Sequence, residues 1–272
     1  MKKPPQYRRQ DDCLPNYKTG TIVMKTIVQR IKNLAFKVRY GFRGAPLQMA
    51  GYAFRVDESL RRWNHDGESW MFDKMKEFLH AGDLFVDVGG NYGFHSLVGA
   101  HLVGDSGCVV AFEPLPENLE IFRRNCLLNE CGKKIIIVDS AVSDVPGEFL
   151  EMGAADTGQD VTASIAVRDG HHRRISVANT SLDAYRLPEG LRCAMLKIDV
   201  EGAELSVLRS ARDLLSGKRP VLLIEVHRDL LIGMGDSVEK LETYLAEFGY
   251  REIARNEVDG SMDHCYHALF RA

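Results

Sequence analysis

The stretch LFVDVGGNYGFHS, residues 84–96, decides how this chain folds. Leu84, Phe85, Val86 and Val88 form a nearly continuous apolar run, the pattern of a strand buried on both faces. Asp87 interrupts the run near its C-terminal end. Gly89, Gly90 and Gly93 follow, with Asn91 among them, and a helix is expected from Phe94 through about His101. Glycine belongs where backbone must turn sharply or where something must approach it closely. Strand, glycine-rich bend and helix in succession put a ligand crevice beyond the strand's C-terminal end, the usual binding place in open α/β sheets.

Two cofactor classes use such a bend. The dinucleotide fingerprint needs glycines at its first, third and sixth positions. From Gly89 those positions hold Gly89, Asn91 and Phe94, and from Gly90 they hold Gly90, Tyr92 and His95, so both registers fail. What is present is Asp-x-Gly-x-Asn-x-Gly at Asp87, Gly89, Asn91 and Gly93, which looks like the first motif of class I S-adenosylmethionine methyltransferases. A carboxylate such as Asp87 can help hold that cofactor's ammonium group, directly or through water.

The flanking sequence extends the alternation of strands and helices. A helix over Trp70–Leu79 leads into the first strand. Cys108–Phe112 reads as a second strand ending at Glu113, whose carboxylate can accept hydrogen bonds from ribose hydroxyls. Pro114 and Pro116 open a helix that runs to about Asn129. Ile135–Val138 is a third strand, followed by Asp139 and Ser140, candidates for contact with an adenine amine. Residues 148–182 read as short strands or a hairpin, with Thr162–Ile165 a loop over the cofactor and His171–Arg174 a solvated turn. Met195–Ile198 forms a fourth strand ending at Asp199, with a helix from about Gly202 to Leu215. Val221–Ile224 forms a fifth strand ending at Glu225, with His227 two residues on. A helix at 238–248 and an antiparallel pair at 250–254 and 266–270 close a doubly wound sheet.

The 272 residues suffice for one generous domain with an appendage. Residues 1–60 read as a basic N-terminal extension and 61–272 as the main domain. Residues 1–55 carry 12 Lys or Arg against two Asp, and no acid lies between Asp12 and Asp57. Residues 1–20 have a disordered composition. Residues 21–40 show helical apolar periodicity, the mark of a helix packed on its own domain or, less favoured, of peripheral contact with an anionic membrane. No specific nucleic-acid module is apparent. No apolar run reaches the roughly 18 residues of a membrane span, and no signal-peptide core follows the N-terminus. Six scattered cysteines without a CxxC pair read as reduced thiols of a cytoplasmic protein. Oligomeric state is not readable.

The quoted stretch, then VVAFEPLPENLEIFRRN, TSLDAY, LKIDVEGAELSVL and VLLIEVH, resemble the FkbM-type methyltransferase family in order and spacing over roughly residues 68–270. KIDVEG is the most specific element. The resemblance implies a class I Rossmann-like, seven-stranded, mostly parallel sheet with the last strand antiparallel. It also implies methyl transfer from S-adenosylmethionine to a hydroxyl of a sugar, polyketide, lipid-linked or similar metabolite. Gly90 stands where the family often has alanine.

Cofactor binding is thus expected at Asp87, Gly89, Gly90, Asn91, Gly93, Glu113, Asp139 and Ser140. Methyl transfer to an alcohol needs alignment and a group to take the proton. Asp199, Glu201, Glu225 and His227 are the candidates beyond the ends of strands four and five; Asp199 is the first choice, His227 the second and His95, at the start of the first crossover helix, a third. Lys197 reads as an ion-pair partner and Glu204 as a helix-start acid. Asp199, Glu225 and His227 could hold a divalent cation, but no metal is assigned. A nicotinamide-dependent oxidoreductase and a noncatalytic cofactor-binding or membrane-associating module are the competing readings.

Overall fold

The computed structural model describes residues 43–63, 66–145, 147–154, 173–258 and 264–272. The expected helix at 21–40, the loop at 162–165 and His171–His172 lie outside the described residues. Gly44–Ala272 forms one compact unit. That boundary falls well before residue 61, because residues 45–60 belong with the main domain. They form a hairpin, β1 (Ala45–Met49) and β2 (Tyr52–Val56), tied to helix α3 (Pro116–Leu128) and the residue after it. Asn129 accepts from the Arg55 N–H and donates to its carbonyl, at 2.9 and 2.6 Å. Arg124 pairs with Asp57 at 2.8 Å.

The remaining strands are β3 (Asp83–Val88), β4 (Cys108–Phe112), β5 (Ile135–Val138), β6 (Ala141–Val142), β7 (Phe149–Ala154), β8 (Arg173–Thr180), β9 (Arg192–Ile198), β10 (Val221–His227), β11 (Arg251–Glu257) and β12 (Cys265–Arg271). Seven of them make one sheet in the order β11-β12-β10-β9-β3-β4-β5. The β3, β4, β5, β9 and β10 pairings are parallel, while β12 runs antiparallel to both β10 and β11. This is the expected doubly wound architecture with the last strand reversed. The crossovers include α1 (Ser69–Phe78), α2 (Phe94–Val103), α3, α4 (Glu204–Arg209), α5 (Arg228–Gly233) and α6 (Val238–Glu247). The expected hairpin is also present: β7 pairs with β8, and β6 adds to β8 as a small three-stranded sheet. Among the described residues no helix is long and apolar enough to cross a membrane.

The helix expected to run unbroken to Leu215 stops at Arg209 and resumes as a π-helical stretch over Leu214–Lys218. Ser210 Oγ donates to the Val207 carbonyl at 2.7 Å. Such back-bonding competes with the helix ladder and bends it.

Strand β3 is buried along its whole length. Its period of two divides the sheet into two chemistries. Leu84, Val86 and Val88 face the main core with Leu196, Ile198, Ile224 and Val226. Phe85 and Asp87 face the other way. Parallel register sets Asp87 beside Lys197, and Leu223 also beside Lys197. Stepping by two, Asp199, Glu225 and His227 follow on that same face, and Glu225 is opposite His267 of β12. The C-terminal end of one sheet face therefore collects charge. Burying the apolar side chains of β3 contributes about 1.5–3 kcal/mol each. Burying Asp87 unpaired would cost several kcal/mol, so the strand is stable only because Lys197 and Ser96 meet that carboxylate.

The bend is fixed by backbone. The N–H groups of Gly89 and Gly90 both donate to the Phe112 carbonyl, at 3.1 and 2.9 Å. Gly89 has φ of 82°, and a Cβ there would lie 1.8 Å from the Asp199 carbonyl oxygen. Gly51 in the β1–β2 turn has nearly the same φ, 85°, with nothing within 4 Å. In urea unfolding, Gly51→Ala should therefore cost only the left-handed penalty of about 1–2 kcal/mol. Gly89→Ala should cost clearly more, because the β3–β9 junction must also part. Equal losses would show that the close approach at Gly89 is unimportant.

Candidate active site

A cleft opens where β3, β4 and β9 end. It is lined by Val88, Gly89 and Asn91 at the bend, by Phe112, Glu113, Pro114, Leu115 and Asn118 from the end of β4 into α3, by Ser140, Ala141 and Val142 after β5, by Met152 of β7, and by Asp199, Val200, Glu201 and Ala203 after β9. An apolar slot with a few convergent polar groups suits a nucleoside-like ligand.

Glu113 is buried at the end of β4. Oε2 accepts from the Asn91 N–H at 2.8 Å, and Oε1 accepts from the Leu115 N–H at 2.9 Å and Asn118 Nδ2 at 3.2 Å. It thus clamps the bend to the start of α3. Burial dominates its ionisation and pushes its pKa up to about 7, although these donors and Lys197 oppose the shift. Asn91 has φ of 48°, a conformation asparagine tolerates better than most residues.

Asp87 lies beneath the bend and is not in the cleft wall. Its Oδ2 accepts from Ser96 Oγ at 2.6 Å, and Lys197 Nζ sits 3.4 Å from Oδ1. Lys197, 1% exposed, also donates to the Gly89 carbonyl at 2.9 Å and to Asp199 Oδ2 at 3.1 Å. Burial opposes its charge, but Asp199, Asp87 and Glu68 outweigh that and raise its pKa. The ion-pair reading of Lys197 is therefore the one seen. Gly90 and Gly93 make room for the Phe122 ring, 2.9 and 2.3 Å from where their Cβ atoms would lie. An alanine at 90 would need that ring to yield slightly.

Asp139 and Ser140 separate. Ser140 is in the cleft wall. Asp139 is exposed, points out of the cleft and pairs with Arg123. A strand's alternation explains this: adjacent residues at the end of β5 face opposite ways.

Asp199 reaches the cleft from the end of β9. Burial works against its charge, but Lys197, His227 and His95 together hold its carboxyl below the usual range. Behind it, His227 Nδ1 meets Glu204 Oε1 at 2.8 Å, while Nε2 lies 3.5 Å from Glu201 Oε2 and 3.8 Å from Glu225 Oε1. Burial disfavours the imidazolium, yet Glu204, Glu201 and Glu225 overcome it and push the pKa up to about 10. An imidazole already protonated at neutral pH is a poor base. Glu225 is not in the cleft wall; it accepts from Cys265 Sγ at 3.3 Å and faces His267 at 3.7 Å. Glu204 is more than a helix-start acid, since it accepts from the Gly202 N–H and holds His227.

Sequence reasoning missed Glu68 and His267. Glu68 pairs with His95 at 3.2 Å. Burial raises its pKa, but His95 more than reverses this. His267 stacks on Trp70 at 6.1 Å between centroids. The alternation in CYHALF was a usable signal, because it places His267 opposite Glu225. Glu68 precedes α1 and carried no signal.

The sequence profile described as Methyltransferase FkbM domain matches residues 87–252, more than half of the chain. The chain belongs to this family. It is 30% identical over 147 residues to Methyltransferase 1 of Beauveria bassiana, a match covering 48% of this chain and 59% of that one. A shorter stretch of 47 residues, 17% of this chain and 22% of the other, is 47% identical to Protein-L-isoaspartate O-methyltransferase of Methanothrix thermoacetophila. The chain thus spans less than two thirds of either relative. Methyltransferase FkbM from Methylobacillus flagellatus KT superposes with a TM-score of 0.46 at 15% identity, covering 78% of this chain and 56% of that one.

Glu113 gives a pH test. Its folded pKa of about 7 exceeds the ordinary 4.5, so the folded state holds an extra proton between those values. The stability this contributes is full below about 4.5 and is lost as pH rises through about 7. Urea unfolding across that window should show wild type falling relative to Glu113→Gln. Parallel curves would contradict the buried-carboxyl assignment.

Proposed function

We propose that this chain is an S-adenosylmethionine-dependent methyltransferase acting on a hydroxyl of a small metabolite such as a sugar, polyketide or lipid-linked compound. The observation carrying the proposal is the cleft that links Glu113, at the end of β4, to Asp199, at the end of β9, past the glycine bend. The residues fit the cofactor. Glu113 has acceptor capacity for ribose hydroxyls beyond its present donors. Ser140, Val142 and Met152 offer a slot for a flat base. Asn91 and Asp199 lie toward the amino-acid and sulfonium end.

When bound, the cofactor supplies an activated methyl carbon on sulfur. An acceptor hydroxyl held at this end of the cleft would be placed in line with that carbon. Asp199 is the proposed group that aligns the hydroxyl and receives its proton. Lys197 and the Gly89 carbonyl hold this carboxylate in register with the bend, so its contribution is chiefly one of position. His227, protonated, supports Glu201 and Glu204 rather than acting as the base. Asp199 and Glu201 also place two carboxylates on this rim, which opposes a phosphodiester backbone and favours an uncharged or cationic acceptor.

Calorimetry with S-adenosylhomocysteine and with NAD should show binding of the first only. Glu113→Ala should weaken it by one or two charge-assisted hydrogen bonds, about 1.5–3 kcal/mol each. Asp199→Asn should keep that binding and lower turnover by about 10²–10⁴-fold. Preference for NAD would overturn the cofactor proposal, and undiminished turnover would remove Asp199 as the proton acceptor.

A further inference from the structure

Behind the proposed cofactor cleft stands a cluster of ionisable groups that an in-line methyl transfer does not itself require. One ligand atom each from Asp199, Glu201 and His227 lies within 4.8 Å of the other two. Donors about 2.0–2.2 Å from one metal ion are about 3–4.4 Å apart, so small side-chain adjustments would close the set.

Acids alone would indicate little. The independent feature is His227, 4% exposed. Glu204, fully buried, holds Nδ1 at 2.8 Å. Nε2 is thereby turned toward Glu201 at 3.5 Å and Glu225 at 3.8 Å. A carboxylate behind the remote ring nitrogen fixes the tautomer and orientation of metal-binding histidines. The structure also changes the ligand set read from sequence. Glu225 is engaged by Cys265 and faces His267, and Glu201, in the cleft wall, stands in its place. Glu201 has φ of 56°, the turn that brings its side chain back to His227.

We infer that Asp199, Glu201 and His227 bind one divalent cation at the acceptor end of the cleft. The inference deepens the methyl-transfer reading and rests on it for the identity of the acceptor. Two carboxylates and an imidazole suit Mn²⁺, Fe²⁺, Co²⁺ or Zn²⁺. Three protein ligands leave coordination positions open to an acceptor oxygen. A cation there would make the hydroxyl proton easier to remove. It would also offset clustered carboxylates whose mutual repulsion is costly when buried, displacing the imidazolium proton.

The test is titration of the chelator-treated full-length chain with MnCl₂, following the electron paramagnetic resonance signal of free aquo-Mn²⁺. One ion per chain is expected. Glu201→Gln and His227→Gln should each weaken binding by about tenfold or more, and Glu204→Gln, which touches no ion, by a comparable factor. Glu201 is partly exposed, so Glu201→Gln decides the matter if a His227 variant fails to fold. Titrating the same samples with S-adenosylhomocysteine reports separately on the cofactor pocket. No Mn²⁺ uptake by folded wild type at millimolar MnCl₂, or equal uptake by Glu201→Gln, would overturn the inference.

Discussion

A single buried ammonium ties this structure together. Lys197 Nζ contacts Asp87 beneath the glycine bend, the carbonyl of Gly89 within it, and Asp199 at the rim of the cleft. Removing a lysine from water costs several kcal/mol. Two carboxylates and a carbonyl offset that cost only if β3 and β9 stay in register and the bend keeps its shape. The same charge that stabilises the strand pair therefore sets the distance between the bend and Asp199. Removing one partner would leave a buried charge uncompensated, so the three groups constrain one another.

The second organising fact is the period of the strand. Each β-strand turns alternate residues to opposite faces. In β3, β9, β10 and β12 one set is apolar and builds the main core. The other set carries Asp87, Lys197, Asp199, Glu225, His227 and His267. The helical side adds Glu68 before α1 and His95 and Ser96 in α2. Charge is thus concentrated at the carboxyl end of one sheet face, beside the slot proposed for the cofactor. Glu113 works from the other side, joining the bend to the start of α3.

Much of this was legible in the sequence. Continuous apolar runs ending in acids at 87, 113, 199 and 225 gave strands and their polar ends, because period and burial leave a direct trace. The bend was readable because glycine spacing reflects backbone geometry. What escaped was set by contacts distant in sequence. Nothing near Asp139 revealed that Arg123 would draw it outward, and nothing near Glu204 revealed that it would hold His227 from 23 residues away. The hairpin at 45–56 falls within the extension on sequence alone because its anchor, Asn129, lies 74 residues beyond Arg55. KIDVEG, the most family-specific element, contains the buried lysine, the rim acids and the turn into α4, so its specificity has a physical basis.

The central claim is that an adenosyl cofactor occupies the cleft between the bend and Ser140–Val142, with its reactive end toward Asp199. The most direct measurement is a crystal structure of the protein soaked with S-adenosylhomocysteine. The account predicts ribose hydroxyls on Glu113, the base beside Ser140 and Met152, and the sulfur near Asp199. Density for the ligand elsewhere, or in the cleft with Glu113 turned away from the ribose, would contradict it.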